Sequence, residues 1–446
     1  MNAIVAILAA LAATAPSGEA PPAAVPAPDL SRLRGMPQVV AMSLPEALAE
    51  IDRQNPTLEE ARARAAAALG VVRQAAAPLL PTLQAGGGYF HNNAEAVFLR
   101  PITPTTFEPI YIQPLDAWQV SGALRVPLVV PDAWFSLSAS RDAALAAAAA
   151  SDATRLTVRT ALLQSAWAAW AGDEVVAASE RALVNARSQA ESARRQVKVG
   201  TAAPLTVLQA DTAATRRESD LVAARSERSR ARIAVGVLLG RPDPVLIAMP
   251  PLPSPSVYDV ADLSRQALDA RPELRAQAAV IRSYEKQASA ALWRIAPQIS
   301  ASGSGMAQTV PYPTGDRQGW RVSVDLTWTL YDGGFRYGKA DQASAQASEA
   351  RAAETGTRLQ ILQEVQNAAR DVEVARQRLA LAQQENNTAS EAAASARRGF
   401  GEGVTSSLDV LSANELLFLS EVQVANASSR LGGSLAALDR AVGRSP

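Results

Sequence analysis

Very few residues of this chain stand in patterns that could carry out chemistry. The sequence has no cysteine and a single histidine, His91, which excludes disulfides, thiolate catalysis, zinc-thiolate sites and a histidine metal cluster. His91 precedes Asn92 and Asn93, and this polar run predicts a surface loop. We find no phosphate-binding loop and no nucleophile arranged with a histidine. We therefore expect a protein that is not an enzyme, with no cofactor and no metal.

The acidic residue of most interest is Asp409, which follows Gly403 by six residues. Ser406 stands three residues before it, and the Ser-x-x-Asp spacing resembles a capping box at a helix start. A carboxylate in the first turn of a helix is also stabilised by the helix dipole. On this evidence Asp409 begins a helix.

Composition and the N-terminus indicate an exported protein. The formal net charge is zero, which argues against a nucleic-acid partner. Residues 3–13 form an unbroken apolar run followed by Ala13-Thr14-Ala15, which predicts a signal peptide over 1–15. A Pro- and Ala-rich tether is expected over 16–42. No later segment has 18 consecutive apolar residues, so no transmembrane helix is predicted.

The remainder of the chain contains an internal duplication. Residues 55–58 recur at 271–274, and residues 80–83 recur at 296–299, both after 216 positions, whereas Trp118 matches Trp320 after only 202. The first copy therefore carries 14 extra residues before Trp118, which we assign to a loop. We predict copies over 43–240 and 259–443, joined by a linker over 241–258.

Each copy predicts two strands. Apolar and polar residues alternate strictly over 320–331, and the same pattern appears over 118–130; the strands predicted over 82–90 and 298–306 are Gly- and Ser-rich and give weaker signals. A soluble sheet with one apolar face produces this alternation, and so does a membrane barrel strand. Four strands cannot close a barrel, and an open edge is not tolerated in lipid. If these strands lie in a membrane, several chains must share one barrel.

The helices predicted between the strands are unusually long. Residues 133–197 and 336–400 contain no proline, and shorter returning helices are predicted over 204–239 and 404–443. Apolar or small residues recur every seven positions in the second copy, which predicts a left-handed supercoil; they are Ile361, Ala368, Ala375, Ala382, Ala389 and Ala396. An ordinary antiparallel coiled coil would explain one such seam, but not the membrane-like strands.

This arrangement resembles the TolC family of outer-membrane efflux proteins over roughly residues 43–443. The motifs that carry the resemblance are Asn55-Pro56-x-Leu58, Leu80-Pro81-Thr82, the segment 328–334 (WTLYDGG) and the segment 401–411 (GEGVTSSLDVL). The first copy departs at its strand exit, with Val130-Pro131-Asp132 in place of Asp332-Gly333-Gly334.

The resemblance implies a mainly α-helical fold with a membrane β part. A homotrimer would form a twelve-stranded β-barrel in the outer membrane, continued into the periplasm by a twelve-helix α-barrel of coiled-coil helices. It would act as a passive exit duct for small molecules or proteins in a tripartite efflux or type I secretion system. The implied partners are a periplasmic adaptor, an inner-membrane pump or ABC transporter, and outer-membrane lipid.

The resemblance also assigns roles to individual residues. Asp409 matches a position where family members often place an acidic ring at the periplasmic entrance, and a ring of carboxylates favours cations. Capping and gating therefore both stay open for Asp409. Two further pore candidates are Thr206, which is the equivalent of Asp409 in the first copy, and Ser412, which lies three residues after Asp409. The helical-turn tips expected to contact an adaptor are Gly200, Thr201, Gly403 and Val404.

The strand alternation predicts which side chains would meet lipid in such a barrel. The lipid-facing candidates are Trp118, Trp320, Val324 and Trp328, and the lumen candidates are Arg125, Arg321 and Asp325. Two alternatives remain, a periplasmic coiled-coil adaptor and an elongated scaffold without a pore. An adaptor would have one helical hairpin flanked by β domains, whereas this chain predicts two hairpins.

Overall fold

The computed structural model describes residues 39–253, 257–312 and 315–445. The signal peptide predicted over 1–15 and most of the tether predicted over 16–42 lie outside these residues. The described part contains eight strands and eight α-helices. In chain order they are β1 (Val40–Ser43), α1 (Leu44–Gln54), α2 (Pro56–Ala76), β2 (Thr82–His91), β3 (Ala96–Thr103), β4 (Thr106–Gln113), β5 (Asp116–Val129), α3 (Pro131–Lys198), α4 (Pro204–Leu238), β6 (Val245–Ala248), α5 (Val260–Ala270), α6 (Pro272–Trp293), β7 (Gln298–Gln308), β8 (Gln318–Thr327), α7 (Phe335–Gly401) and α8 (Ser407–Val442).

Two successive units share one element order. The first runs α1, α2, β2, β5, α3, α4, and the second runs α5, α6, β7, β8, α7, α8. In both units a proline, Pro56 or Pro272, begins the second short helix. Proline suits this first position because its missing N–H would have no partner within the helix.

The four strands β2, β5, β7 and β8 form one antiparallel sheet in the order β2-β5-β7-β8. The two units therefore join through the central pair, β5 with β7. Each unit sends a long helix away from the same end of this sheet. The sheet and the helices thus form two consecutive zones of one elongated arrangement.

The long helices α3 and α7 each span roughly 100 Å at 1.5 Å per residue. Close to the sheet, α3 packs against α2 and α6; farther along, it packs against α4 and α8. Gly432 of α8 makes one such approach possible, since a Cβ atom there would lie 2.2 Å from the ring of Trp167. Side chains at the seven-residue spacing, from Ile361 to Ala389, are buried.

A compact layer surrounds the middle of the long helices. There β1 pairs in parallel with β6, and Ile51, Leu162 and Val245 are fully buried together. The second unit has an equivalent core around Ile361 and Leu438. No helix among the described residues is both long enough and apolar enough to cross a membrane.

The structure differs from the sequence-based expectations at five places. Strand β1 begins within the predicted tether, and β6 lies within the predicted linker. The extra residues of the first copy form a two-stranded hairpin, β3 with β4, instead of an irregular loop. His91 ends strand β2, exposed, with its Nδ1 2.8 Å from the Asp116 carboxylate.

The fifth difference is the last strand, which was predicted to reach residue 331 but ends at Thr327. The Asp332 carboxylate accepts hydrogen bonds from the backbone N–H groups of Gly334 and Arg336, at 3.2 and 3.1 Å. Gly333 and Gly334 have φ of 69° and 86°. These residues turn the chain towards the start of α7. Strand pairing therefore stops at Thr327, although the alternation of apolar and polar residues in the sequence continues to residue 331.

Candidate functional site

The two faces of the four-stranded sheet differ in chemistry. Directly opposed residues of an antiparallel pair lie on the same face, so the register assigns each residue to a face. What we call the apolar face carries apolar residues and glycine, except at the end remote from the helices, where Tyr89, His91, Asp116 and Gln318 lie. Its apolar residues and glycines include Leu83, Ala85 and Gly87 of β2; Trp118, Val120, Gly122, Leu124 and Val126 of β5; Ile299, Ala301, Gly303 and Gly305 of β7; and Trp320, Val322, Val324 and Leu326 of β8.

The opposite face, which we call the polar face, carries charges and hydroxyl groups. Its members include Gln84, Gln119, Ser121, Arg125, Ser300, Ser302, Ser304, Arg321, Ser323 and Asp325. The Ser302 and Ser323 hydroxyl oxygens lie 2.7 Å apart. Both hydroxyl groups donate to the Asp325 carboxylate, at 3.0 and 3.1 Å. This network fixes one carboxylate on the polar face.

The structure brings together most of the strand residues singled out from sequence. Trp118, Trp320 and Val324 lie on the apolar face, and in the isolated subunit Trp320 is 84% exposed. Arg125, Arg321 and Asp325 lie on the polar face. Trp328 was predicted as a strand residue, but it follows the end of β8, and its indole N–H donates to the carbonyl oxygen of Ile295 at 3.0 Å.

Both outer strands of the sheet have a free edge. β2 pairs only with β5, and β8 pairs only with β7, among the strands that the structure describes. Such an edge presents a row of unpaired N–H and C=O groups. A single subunit therefore has one apolar face, one polar face and two edges able to accept another strand.

The far ends of the two helical hairpins turn in the same way. Gly200 and Gly403 both have φ of 78°, a left-handed conformation that glycine adopts without steric cost. After each glycine, the N–H of Thr201 or Val404 donates back into the preceding helix, to Gln196 at 2.9 Å and Gly399 at 2.9 Å. Both turns are therefore Schellman motifs.

Asp409 lies at the third position of α8, just beyond one of these turns. Its carboxylate accepts from the Ser406 N–H at 3.1 Å and from the Ser406 hydroxyl at 2.7 Å, and its own N–H donates to that hydroxyl at 3.2 Å. The capping box suggested by the spacing is thus present. Asp409 is also exposed, as is Ser412. Thr206 occupies the same third position in α4.

The chain matches the family model described as outer membrane efflux protein over residues 47–241 and 263–444. These two stretches cover both units and most of the chain. The chain belongs to the outer membrane efflux protein family. Among curated proteins, no sequence matches it.

Solved structures of outer membrane channels have the same fold as this outer membrane efflux protein. VceC from Vibrio cholerae superposes with a TM-score of 0.71 at 20% identity, over 90% of this chain and 96% of that chain. CmeC from Campylobacter jejuni gives 0.72 at 16% identity, over 90% and 85%. The open state of MtrE from Neisseria gonorrhoeae gives 0.70 at 18% identity, over 90% and 89%.

Family membership decides the class of function. The protein is homologous to outer membrane efflux channels, which act as exit ducts of tripartite efflux systems, and its location is the outer membrane. Members of this family are channel proteins and not enzymes. The helical fold predicted from the duplicated pattern is confirmed.

Sequence reasoning missed a charged cluster near the helical turns of this efflux protein. Arg217 of α4 is 7% exposed and forms ion pairs with Asp220, at 2.9 Å, and with Glu415 of α8. Its guanidinium also lies 4.5 Å from the ring centre of Phe418. The cluster ties the two helical hairpins together. The sequence gives no signal for it, because Arg217 and Glu415 are far apart in the chain.

Proposed function

We propose that three copies of this chain close one twelve-stranded barrel in the outer membrane. The observation that carries the proposal is the pair of free edges on a sheet of only four strands. A membrane tolerates no unpaired edge, because lipid offers no hydrogen-bond partners. The smallest membrane barrels have about eight strands, so one subunit is too small. Pairing β2 of each copy with β8 of the next satisfies every edge.

In this assembly the apolar face meets lipid and the polar face lines the lumen. Trp118, Trp320 and Val324 would then contact lipid, with Trp328 at the periplasmic rim. Arg125, Arg321 and Asp325 would contact water and passing solutes. A membrane barrel requires this division, with apolar side chains outward and polar side chains inward.

The helices would continue the barrel as a twelve-helix tube in the periplasm. Four helices lie side by side at any level of one subunit, because α3 and α7 are flanked by α2 and α6 near the sheet and by α4 and α8 farther away. The turns at Gly200–Thr201 and Gly403–Val404 would form the tip that meets a periplasmic adaptor. An inner-membrane pump or an ABC transporter would supply the energy, and the duct would be passive for small molecules or proteins.

Asp409 would also contribute to the constriction at the tip. Its side chain is exposed one turn beyond Gly403, and threefold symmetry would bring three carboxylates around the axis. Ser412 and Thr206 would line the same region with hydroxyl groups. The capping box does not exclude this role, since one carboxylate oxygen can cap the helix while the other faces water.

The test is to extract the protein from outer membranes in mild detergent and to determine its mass by native mass spectrometry. The same sample is then reconstituted into planar bilayers. We expect a trimer that forms conducting channels. A stable monomer would contradict the shared barrel, and a trimer without conductance would favour the scaffold without a pore.

A further inference from the structure

The internal duplication of the chain extends to the pairing of its strands. In the first unit Thr82 of β2 pairs with Arg125 of β5, and in the second unit Gln298 of β7 pairs with Thr327 of β8. Thr82 and Gln298 are 216 residues apart, and Arg125 and Thr327 are 202 apart, which are the two offsets at which the sequence motifs recur. Both ladders keep this correspondence over their whole length. The two units therefore contain equivalent pairs of strands in the same register.

The joint between the two units shows how one such pair of strands meets the next. β5, the second strand of the first unit, pairs with β7, the first strand of the second unit. β8 is the equivalent of β5, and its free edge corresponds to the edge through which β5 meets β7. β2 is the equivalent of β7, and its free edge corresponds to the edge through which β7 meets β5. One chain thus carries both halves of a second joint at opposite edges of its sheet, where only another copy can bring them together.

The residues that follow β8 are a second, independent observation. In the first unit, β5 continues beyond its pairing with β2, and its segment 126–129 pairs with β7 alone. The equivalent segment of the second unit is 328–331, which continues the alternation of β8 but has no partner strand among the residues that the structure describes. Leu330 and Tyr331 are 67% and 83% exposed there. A strand from another copy accounts for the alternation that a single subunit leaves unpaired.

We propose that β8 of one copy pairs with β2 of the next copy in the register of the β5–β7 joint, and that residues 328–331 extend this pairing. The joint between subunits is then a repeat of the joint within each subunit. Each copy presents two different edges to its two neighbours, as a closed threefold ring requires. The inference rests on the proposed trimer and specifies which residues meet where its subunits join.

The register between copies follows from the observed joint. Ser121 pairs with Met306, and the two offsets convert this pair into Ser323 opposite Phe90 of the next copy. Ser323 and Phe90 both lie on the polar face of the sheet, so the pairing keeps the two faces continuous. A shift by one residue would turn the apolar face of one copy towards the lumen. A shift by two residues keeps the faces matched and would place Gly88 opposite Ser323.

Cysteine cross-linking tests this register, since the natural chain has no cysteine. A disulfide requires Cα atoms within about 7 Å; directly opposed residues satisfy this limit, whereas residues displaced by two along a strand lie about 7–8 Å apart. In Ser323→Cys/Phe90→Cys, oxidation in intact cells should convert most of the monomer band on a denaturing gel into covalent dimer and trimer. The matched control Ser323→Cys/Gly88→Cys should remain largely monomeric, although a Cβ atom at Gly88 meets only open space.

A second pair of variants tests the extension of β8. The observed pair of Val126 with Ala301 becomes Trp328 opposite Ala85 of the next copy. Trp328→Cys/Ala85→Cys should therefore cross-link, whereas the displaced control Trp328→Cys/Gly87→Cys should not. This second pair also tests the register if the first variant does not assemble.

Native mass spectrometry of the natural protein and of the reduced variants separates this inference from the proposed duct. Trimers that cross-link only in the displaced controls, or in none of the variants, would overturn the register and leave the duct standing. Equal cross-linking in the matched and displaced variants would also overturn the register, because the joint would then have no single pairing. A natural protein that is monomeric would overturn both proposals.

Discussion

The side-chain amide of Asn55 donates a hydrogen bond to the backbone carbonyl oxygen of Leu238, 2.7 Å away. Arg271 occupies the equivalent place in the second unit, and its guanidinium donates to the carbonyl oxygens of Arg440 and Ala441 at 3.2 and 3.3 Å. Each residue joins the start of a short helix to the end of the returning helix. The two units make the same connection with different side chains.

Asn55→Ala is expected to destabilise the protein. Asn55 also accepts the N–H of Leu58 at 3.0 Å, so alanine removes a helix cap and a tertiary hydrogen bond together. We expect a loss of about 2 kcal/mol, since a cap contributes about 1 kcal/mol and a buried hydrogen bond a similar amount. Thermal unfolding in detergent measures it. Asn55→Asp keeps the cap but not the donor, and a loss equal to that of alanine would show that the cap contributes nothing.

The two faces of β8 give a second prediction. Val324→Arg should impair assembly, because a cation on the lipid-facing side costs about 2–4 kcal/mol near the bilayer midplane. Asp325→Asn is the matched control on the neighbouring residue. It should assemble normally and change the ion selectivity of the channel. Trimer yield from outer membranes and conductance in planar bilayers are the measurements, and identical behaviour of the two variants would contradict the assigned orientation.

Asp409→Asn distinguishes capping from gating. If the carboxylates line the entrance, the variant should conduct anions better relative to cations and should be blocked less by multivalent cations. Stability should fall by about 0.3–1 kcal/mol, the contribution of a charge near a helix start. Bilayer recordings and thermal dissociation of the trimer provide the two readouts.

Ser406→Ala is the control for this experiment, because it breaks the capping box and retains the carboxylate. It should cost about 1 kcal/mol and leave ion selectivity unchanged. Unaltered selectivity and cation block in Asp409→Asn would restrict Asp409 to its role in the helix start.

The ion pairs of Asp142 predict a pH-dependent contribution to stability. Burial of this carboxyl opposes its ionisation, but hydrogen bonds from Lys286 and Arg282 outweigh burial and hold its pKa below the usual value. A lowered pKa stabilises the folded state above the unfolded pKa of about 3.9, and this stabilisation is lost as the pH falls through the folded pKa.

Asp142→Asn should therefore lower the free energy of unfolding by about 2 kcal/mol at pH 7, the scale of a hydrogen bond to a charged group. The difference from the natural protein should shrink below about pH 4. Denaturant unfolding at both pH values measures it. Asp152→Asn changes an exposed carboxylate on the same helix and should have a much smaller effect; a difference that persists unchanged at low pH would argue against the ion pairs.

Local periodicity in the sequence was enough to predict much of the fold. Alternation from Trp320 to Leu326 predicted β8, and spacing by seven from Ile361 to Ala389 predicted the buried side of α7, because both patterns repeat within a few residues. The pairing of β1 with β6 had no such signal. Each of these strands has four residues, and their contact joins Val40 to Val245 across most of the first unit.

The candidate site was less predictable than the fold. The capping box at Asp409 is a local pattern and could be found from Ser406 alone. The direction in which Asp409 faces depends on two further copies of the chain, and a single sequence contains no information on their placement. Trp328 shows a different limit, since its side chain continues an alternating pattern although its backbone has already left the sheet.

The two free edges of the sheet have a genetic consequence. In the proposed trimeric barrel, one subunit supplies a third of the strands and has no satisfied state in the bilayer by itself, so insertion and assembly would become one event that depends on subunit concentration. A copy that assembles normally but conducts differently, such as Asp325→Asn, would then enter mixed assemblies with normal subunits. With equal expression of both alleles, only about one ring in eight would contain three normal copies. The variant allele should therefore be dominant over the natural allele. The same kind of variant in a protein whose single chain closes its own barrel would not be dominant.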